Sequence, residues 1–131
     1  MQAIMLAAGM GKRLGKYTGE NTKCMLQVAG KTLLERVVES LREAGVGKLV
    51  LVVGYQAGNL RKYVADHIRG IQVEFVENPD YATTNNIYSL WLARAQLAAD
   101  DTILLESDLI YEPGVIRALV EHPAPDAATV A

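Results

Sequence analysis

Residues 5–15 read Met-Leu-Ala-Ala-Gly-Met-Gly-Lys-Arg-Leu-Gly, the end of an apolar run joined directly to a glycine-rich loop with two basic side chains. Gly9 and Gly11 have no Cβ, so the backbone there can turn sharply and bring its N–H groups close to phosphate oxygens, while Lys12 and Arg13 add positive charge. A nucleoside triphosphate is the guest such a loop suits. Two better-known phosphate loops fit poorly. A Walker A loop closes on Gly-Lys-Ser/Thr, whereas Gly15-Lys16 is followed by Tyr17, and Met10 stands where the first glycine belongs. A Rossmann fingerprint needs a small residue where Leu14 stands and a helix that starts at once, but residues 15–21 hold two glycines among polar residues and read as an open loop. The remaining alternative is a solvated strand-to-helix turn with no ligand.

Outward from this loop, strand-like and helix-like patterns alternate. Residues 2–6 form a short apolar strand. Residues 31–44 predict a helix: Thr32 and Glu35 make a capping box, Leu33, Leu34, Val37, Val38 and Leu41 line one face, and Gly45 ends it. The run 48–53 reads as a strand buried on both faces, as parallel sheets require. A weaker helix follows over 56–68, then a strand over 71–76. A helix over 85–98 is expected to place Ile87, Leu90, Trp91 and Leu97 toward a core. Residues 102–106 predict the fourth strand, and 112–122 a helix with Pro113 at a tolerated early position. Such alternation implies an α/β fold: a Rossmann-like open, mostly parallel sheet with helices on both faces.

In such a sheet, ligands bind at the carboxyl ends of the strands. Residues 7–14, Gly54-Tyr55, residues 77–86 and Ser107-Asp108 all fall at those ends or in the loops that follow. Lys23 sits just before the apolar stretch 25–28, where it could turn back over the phosphates.

Composition bounds the rest. At 131 residues, half of them hydrophobic, the chain is one domain or less with enough apolar material for a core. Thirteen basic against 15 acidic side chains argue against a nucleic-acid or anionic-membrane surface. The single cysteine, Cys24, has no disulfide partner and no zinc-ligand set, and the sequence shows no membrane-length apolar run and no signal peptide. A cytoplasmic location is expected.

The segment Leu6-Ala7-Ala8-Gly9-x-Gly11-x-Arg13-Leu14, followed by Thr22-Lys23-x-Met25-Leu26-x-Val28-x-Gly30-Lys31, resembles the signature of the nucleotidyltransferases that make NDP-sugars and CDP-alcohols. The segment Asn78-Pro79-x-Tyr81-x-x-x-Asn85-Asn86-x-Tyr88-Ser89-Leu90 resembles the phosphocholine and 2-aminoethylphosphonate cytidylyltransferases. The resemblance covers the N-terminal, nucleotide-binding half of that family's domain and implies that residues 1–131 form that part of a single, apparently truncated domain.

What it implies residue by residue is specific. The backbone of Leu6, Ala8 and Gly9 would face the base and ribose, Gly11 would admit the triphosphate, and Lys12 would lie beside it. Arg13 would bind the β- and γ-phosphates, and Lys23 would sit by the α-phosphate. Asp108 would hold Mg²⁺, with Glu106 as a helper, and Thr84, Asn85 and Asn86 would read the cytosine edge of CTP. The acceptor would be a small phosphate or phosphonate. By their place in loops, apart from the resemblance, Tyr17, Tyr55, Tyr81 and Tyr111 could line its pocket. On the residues alone, Arg13 and Lys23 also fit surface charges, Asp108 a turn cap, and Asn85 an N-cap. Sugar-1-phosphate transfer from UTP, dTTP or GTP, and a non-catalytic nucleotide-binding module or inactive fragment, are the competing readings. Residues 127–131 read as the start of a further strand, so an open sheet edge that invites self-association into a homo-oligomer is expected.

Overall fold

The computed structural model describes residues 1–12, 16, 19, 21–112 and 114–123. Strand β1 (Gln2–Ala7) is buried along its whole length, because it carries almost no polar side chains and is flanked on both sides. Its one polar side chain, Gln2, is satisfied by the Thr102 hydroxyl at 3.0 Å and by the carbonyl of Gln96. A 3-10 turn (Lys23–Met25) and a small hairpin, β2 (Gln27–Val28) with β3 (Lys31–Thr32), lead into α1 (Leu33–Glu43). Then come β4 (Lys48–Val53), α2 (Ala57–His67), β5 (Gln72–Glu77), α3 (Asn86–Leu92), α4 (Arg94–Leu97), β6 (Thr102–Glu106) and α5 (Val115–Val120).

Among the described residues the main sheet is four parallel strands in the order β5-β4-β1-β6. Met5 lies opposite Leu51 of β4 and Leu105 of β6. The chain therefore winds outward from β1 through β4 to β5 and then returns to the far side of β1. That reversal falls at the carboxyl end of β1, the place where α/β sheets of this kind bind ligands. The expected architecture is present, with helices on both faces. On one face Leu34, Val37, Val38 and Leu41 of α1, Leu60 and Val64 of α2 and Ile116 of α5 close over Ala3, Met5, Leu49, Leu51 and Leu105. On the other, Ile4, Leu6, Val50 and Val52 meet Ala93, with Leu90 and Tyr81 packed against them.

Local rules govern α1. Thr32 Oγ1 accepts from the Glu35 N–H, and the Glu35 carboxylate accepts from the Thr32 N–H, forming the expected capping box. At its other end Gly45 takes φ +80°, and the N–H groups of Gly45 and Val46 return to the carbonyls of Arg42 and Leu41.

The helix expected over 85–98 differs in two ways. It breaks at Ala93 into α3 and α4, and Ile87, Trp91 and Leu97 are 77%, 53% and 41% exposed. The cause is a buried polar contact: Asn78 Nδ2 donates to Ser89 Oγ at 3.0 Å, which turns Ser89 and Ala93 toward the sheet and Trp91 away. Trp91 is instead stacked by Tyr88 and covered by the Arg94 guanidinium 4.0 Å from its ring. The helix expected over 112–122 is shorter and follows Gly114 at φ +92°; Pro113 and residues 127–131 lie outside the described residues. Strand β6 pairs only with β1 among those residues, and Leu104 on its thinly covered face is half exposed. Among the described residues no helix is long and apolar enough to cross a membrane.

Gly54 is where three loops of the carboxyl edge meet. A Cβ there would stand 2.7 Å from Tyr81 Cβ and 3.0 Å from the carbonyl oxygens of Ala8 and Asn78. Two of these neighbours are backbone and cannot yield. Gly54→Ala is expected to lower stability by about 1–3 kcal/mol, measured by urea or thermal unfolding. Gly58→Ala, in open space on the first turn of α2, should be neutral or slightly stabilising.

Candidate active site

Four loops converge on this edge of the sheet. The first leaves β1. Leu6 and Ala8 point their side chains into the core, so only their backbone can face a ligand. The Ala8 carbonyl accepts from the Tyr55 N–H at 3.0 Å, tying this loop to the one after β4. Gly9 is exposed with nothing within 4 Å of the Cβ it lacks, Lys12 is exposed, and Gly11 takes φ +62°. Arg13 and Tyr17 lie outside the described residues.

Lys23 stands on the 3-10 turn behind this loop. The turn is anchored from below: Cys24 is fully buried in the core, its sulfur 3.1 Å from the Thr22 hydroxyl, and the Met25 N–H returns to the Thr22 carbonyl. Anchored there, the Lys23 side chain runs across Gly11, whose Cβ would stand 2.9 Å from Lys23 Cγ. Its ammonium donates to Asp108 Oδ2 at 3.2 Å, joining residues 85 positions apart. Both partners are partly exposed, at 27% and 36% of the side chain.

Asp108 follows β6, and Tyr111 fixes the start of its loop. The Tyr111 hydroxyl accepts from the Glu106 N–H at 3.1 Å and donates to the Glu106 carbonyl, and burial pushes its pKa up. The Glu106 carboxylate accepts from Asn86 Nδ2 at 3.3 Å. Among the described residues no group of three or more His, Cys, Asp or Glu side chains is arranged to hold a metal ion.

The fourth loop, residues 78–86, is organised by Asn78, a residue given no role by sequence reasoning. It is 1% exposed, and its N–H donates to the Val53 carbonyl at 2.7 Å. Its amide donates to Thr84 Oγ1 and Ser89 Oγ and accepts from the Asp80 N–H, each at 3.0 Å. Thr84 also donates to the Asp80 carbonyl, and Asn85 Oδ1 caps α3 through the Tyr88 N–H. The three expected base readers are thus brought to one loop, each with a protein partner. The signal for Asn78 was an amide placed directly after a strand and before Pro79, where a buried turn needs both donor and acceptor. Tyr55 and Tyr81 meet edge to face at 6.0 Å, while the hydroxyl of Tyr111 is held by its own loop.

A glycine loop, a lysine laid across it and a carboxylate facing that lysine meet where the strand order reverses. Residues 3–131 match the MobA-like NTP transferase domain. The chain belongs to the MobA-like NTP transferase family. It is similar to a CMP-5'-(3-aminopropyl)phosphonate synthase of Streptomyces rubellomurinus, 38% identical over 100% of this chain and 20% of that protein. A 2-aminoethylphosphonate cytidylyltransferase of Lancefieldella rimae is 34% identical over 82% of this chain and 43% of its own length. The solved CTP:phosphocholine cytidylyltransferase of Streptococcus pneumoniae is similar in structure, with TM-score 0.69 and 34% identity over 82% of this chain and 44% of that one. The chain thus spans less than half the length of these family members.

Cys24 carries no chemistry in this setting. Burial pushes its thiol up to about 11, so in the folded chain it stays protonated near neutral pH. A folded pKa above the unfolded value of 9.0 also means that this group's contribution to stability is lost as pH climbs from there past 11. An aromatic disulfide reagent at pH 8 should leave Cys24 unmodified until denaturant is added. Rapid labelling of the folded chain would contradict the burial.

Proposed function

We propose that this chain is the nucleotide-binding part of a cytidylyltransferase, a single nucleotidyltransferase domain of which residues 1–131 supply the triphosphate side. The acceptor is a small phosphate or phosphonate such as phosphocholine or 2-aminoethylphosphonate. An acceptor oxygen attacks the α-phosphorus of CTP, the bond from that phosphorus to the bridging oxygen breaks, and pyrophosphate leaves. The acceptor oxygen is already deprotonated near neutral pH, so the residues have to align and neutralise rather than take up a proton. The observation that carries this reading is the convergence of Lys23 and Asp108 beside the Gly9–Gly11 backbone at the reversal of the sheet.

Each group has a part. The backbone around Gly9 and Gly11 cradles phosphates, Arg13 binds the β- and γ-phosphates, and Lys23 meets the charge that grows on the α-phosphate. The loop held by Asn78 presents Thr84, Asn85 and Asn86 to the cytosine, and Tyr55 and Tyr81 lie toward the acceptor. The donor set fits Mg²⁺: Asp108 offers a half-exposed carboxylate that already holds one cation, the Lys23 ammonium. Bound there, the ion would supply charge neutralisation for the reacting phosphates. With one or two protein carboxylates at hand, Mg²⁺ affinity should be low until phosphates complete the shell.

Calorimetry and a pyrophosphate-release screen test the reading. CTP with Mg²⁺ should bind more tightly than UTP, ATP or GTP, and equal or tighter binding of UTP would remove the cytidylyl assignment. In an assembly that turns over, Lys23→Ala should lower kcat by about 2.7–4 kcal/mol of transition-state stabilisation, while Arg13→Ala mainly weakens triphosphate binding. Asp108→Asn should abolish the Mg²⁺-dependent part of CTP binding and leave the metal-free melting temperature nearly unchanged. A variant that keeps the parent's Mg²⁺ dependence would move the metal elsewhere.

A further inference from the structure

We propose that Lys23 and Asp108 hold each other while the site is empty, so that nucleotide and metal each release the residue the other ligand needs. The inference rests on the phosphate and metal roles given above and adds a coupling between them. The ammonium and carboxylate are 3.2 Å apart, close enough to satisfy one another, yet both side chains reach solvent. An ion pair so exposed shifts an equilibrium only about 1.4- to 5-fold, which makes it exchangeable rather than structural.

The path of the exchange is built into the loop. Lys23 is fixed at its backbone by the buried Cys24 beside it, while its stem runs over Gly11, where a Cβ would stand 2.9 Å from Cγ and 3.4 Å from Cε. The side chain therefore lies along the phosphate loop with its charged end at Asp108. Rotations about the outer bonds of the stem carry the ammonium from the carboxylate to a phosphate on that loop with no backbone movement. A lone metal ion must displace the lysine from Asp108, and a lone triphosphate must draw the lysine off the carboxylate. When both arrive, one ion pair is exchanged for two, so each ligand raises the affinity for the other, and by linkage the effect is reciprocal.

The experiment measures each half separately on the full chain. Mn²⁺ alone is titrated into the parent, Lys23→Gln, Asp108→Asn and, as a control for loss of one nearby positive charge, Lys12→Gln. CTP in excess EDTA is titrated into the parent, Asp108→Asn and, as a control for loss of one nearby negative charge, Glu106→Gln. Lys23→Gln should bind Mn²⁺ about 2- to 5-fold more tightly than the parent, and Asp108→Asn should bind metal-free CTP about 2- to 5-fold more tightly. Each gain should exceed that of its charge control. Variants that do no better than their controls overturn the coupling while leaving the site assignment intact. An Asp108→Asn protein that binds Mn²⁺ as well as the parent, or a parent that binds neither probe, overturns the site assignment and the coupling with it. All four substituted side chains are at least partly exposed, and unchanged thermal unfolding verifies the folds.

Discussion

Every feature of this molecule depends on the burial of β1 from both sides. A strand with no wetted face can satisfy its backbone only through neighbours on each flank, and here these are β4 and β6. Parallel neighbours must be reached by crossovers, so the chain places α1 and α2 on one face and α3 and α4 on the other before β6 closes the second flank, and α5 then joins the first face. The reversal at the end of β1 is the by-product of that route. Its loops carry the polar and charged residues because the strands beneath them cannot.

The loops at this edge of the sheet are held in register by contacts within the protein. Gly54 lets the loops after β1, β4 and β5 approach to backbone distance, and Asn78 satisfies the turn that would otherwise bury orphaned polar groups. Cys24 plugs the Lys23 turn into the core, and Tyr111 clips the end of β6. Support from the core thus lies beneath Lys23 and Asp108 while their side chains remain partly exposed.

Much of this was legible from the chain because it is local. The capping box of α1 and its glycine stop depend on residues three to five apart, and the apolar run 49–53 of β4 could be read as buried without knowing its neighbours. The rotation of α3 was not legible, because Ser89 is turned inward by Asn78, a contact from outside the helix that outweighs the apolar spacing of Ile87 and Trp91. At the site, Lys23 and Asp108 stood out separately by motif. Their pairing across 85 positions needs the strand order, which no window of sequence contains.

The outward rotation of α3 also gives the molecule a reporter. The chain has one tryptophan, and it stands half exposed between Tyr88 and Arg94 rather than in the core. An indole so exposed is expected to emit at the wavelength of one near water already in the native state, so global unfolding should change its colour little. Its intensity responds instead to whatever disturbs the Arg94 and Tyr88 stack. That stack rides on the helix whose first residue, Asn86, grips Glu106 two positions from Asp108. The wavelength of tryptophan emission in this protein is therefore expected to be a poor gauge of folding, and its intensity a gauge of the stack beside the carboxyl edge of the sheet.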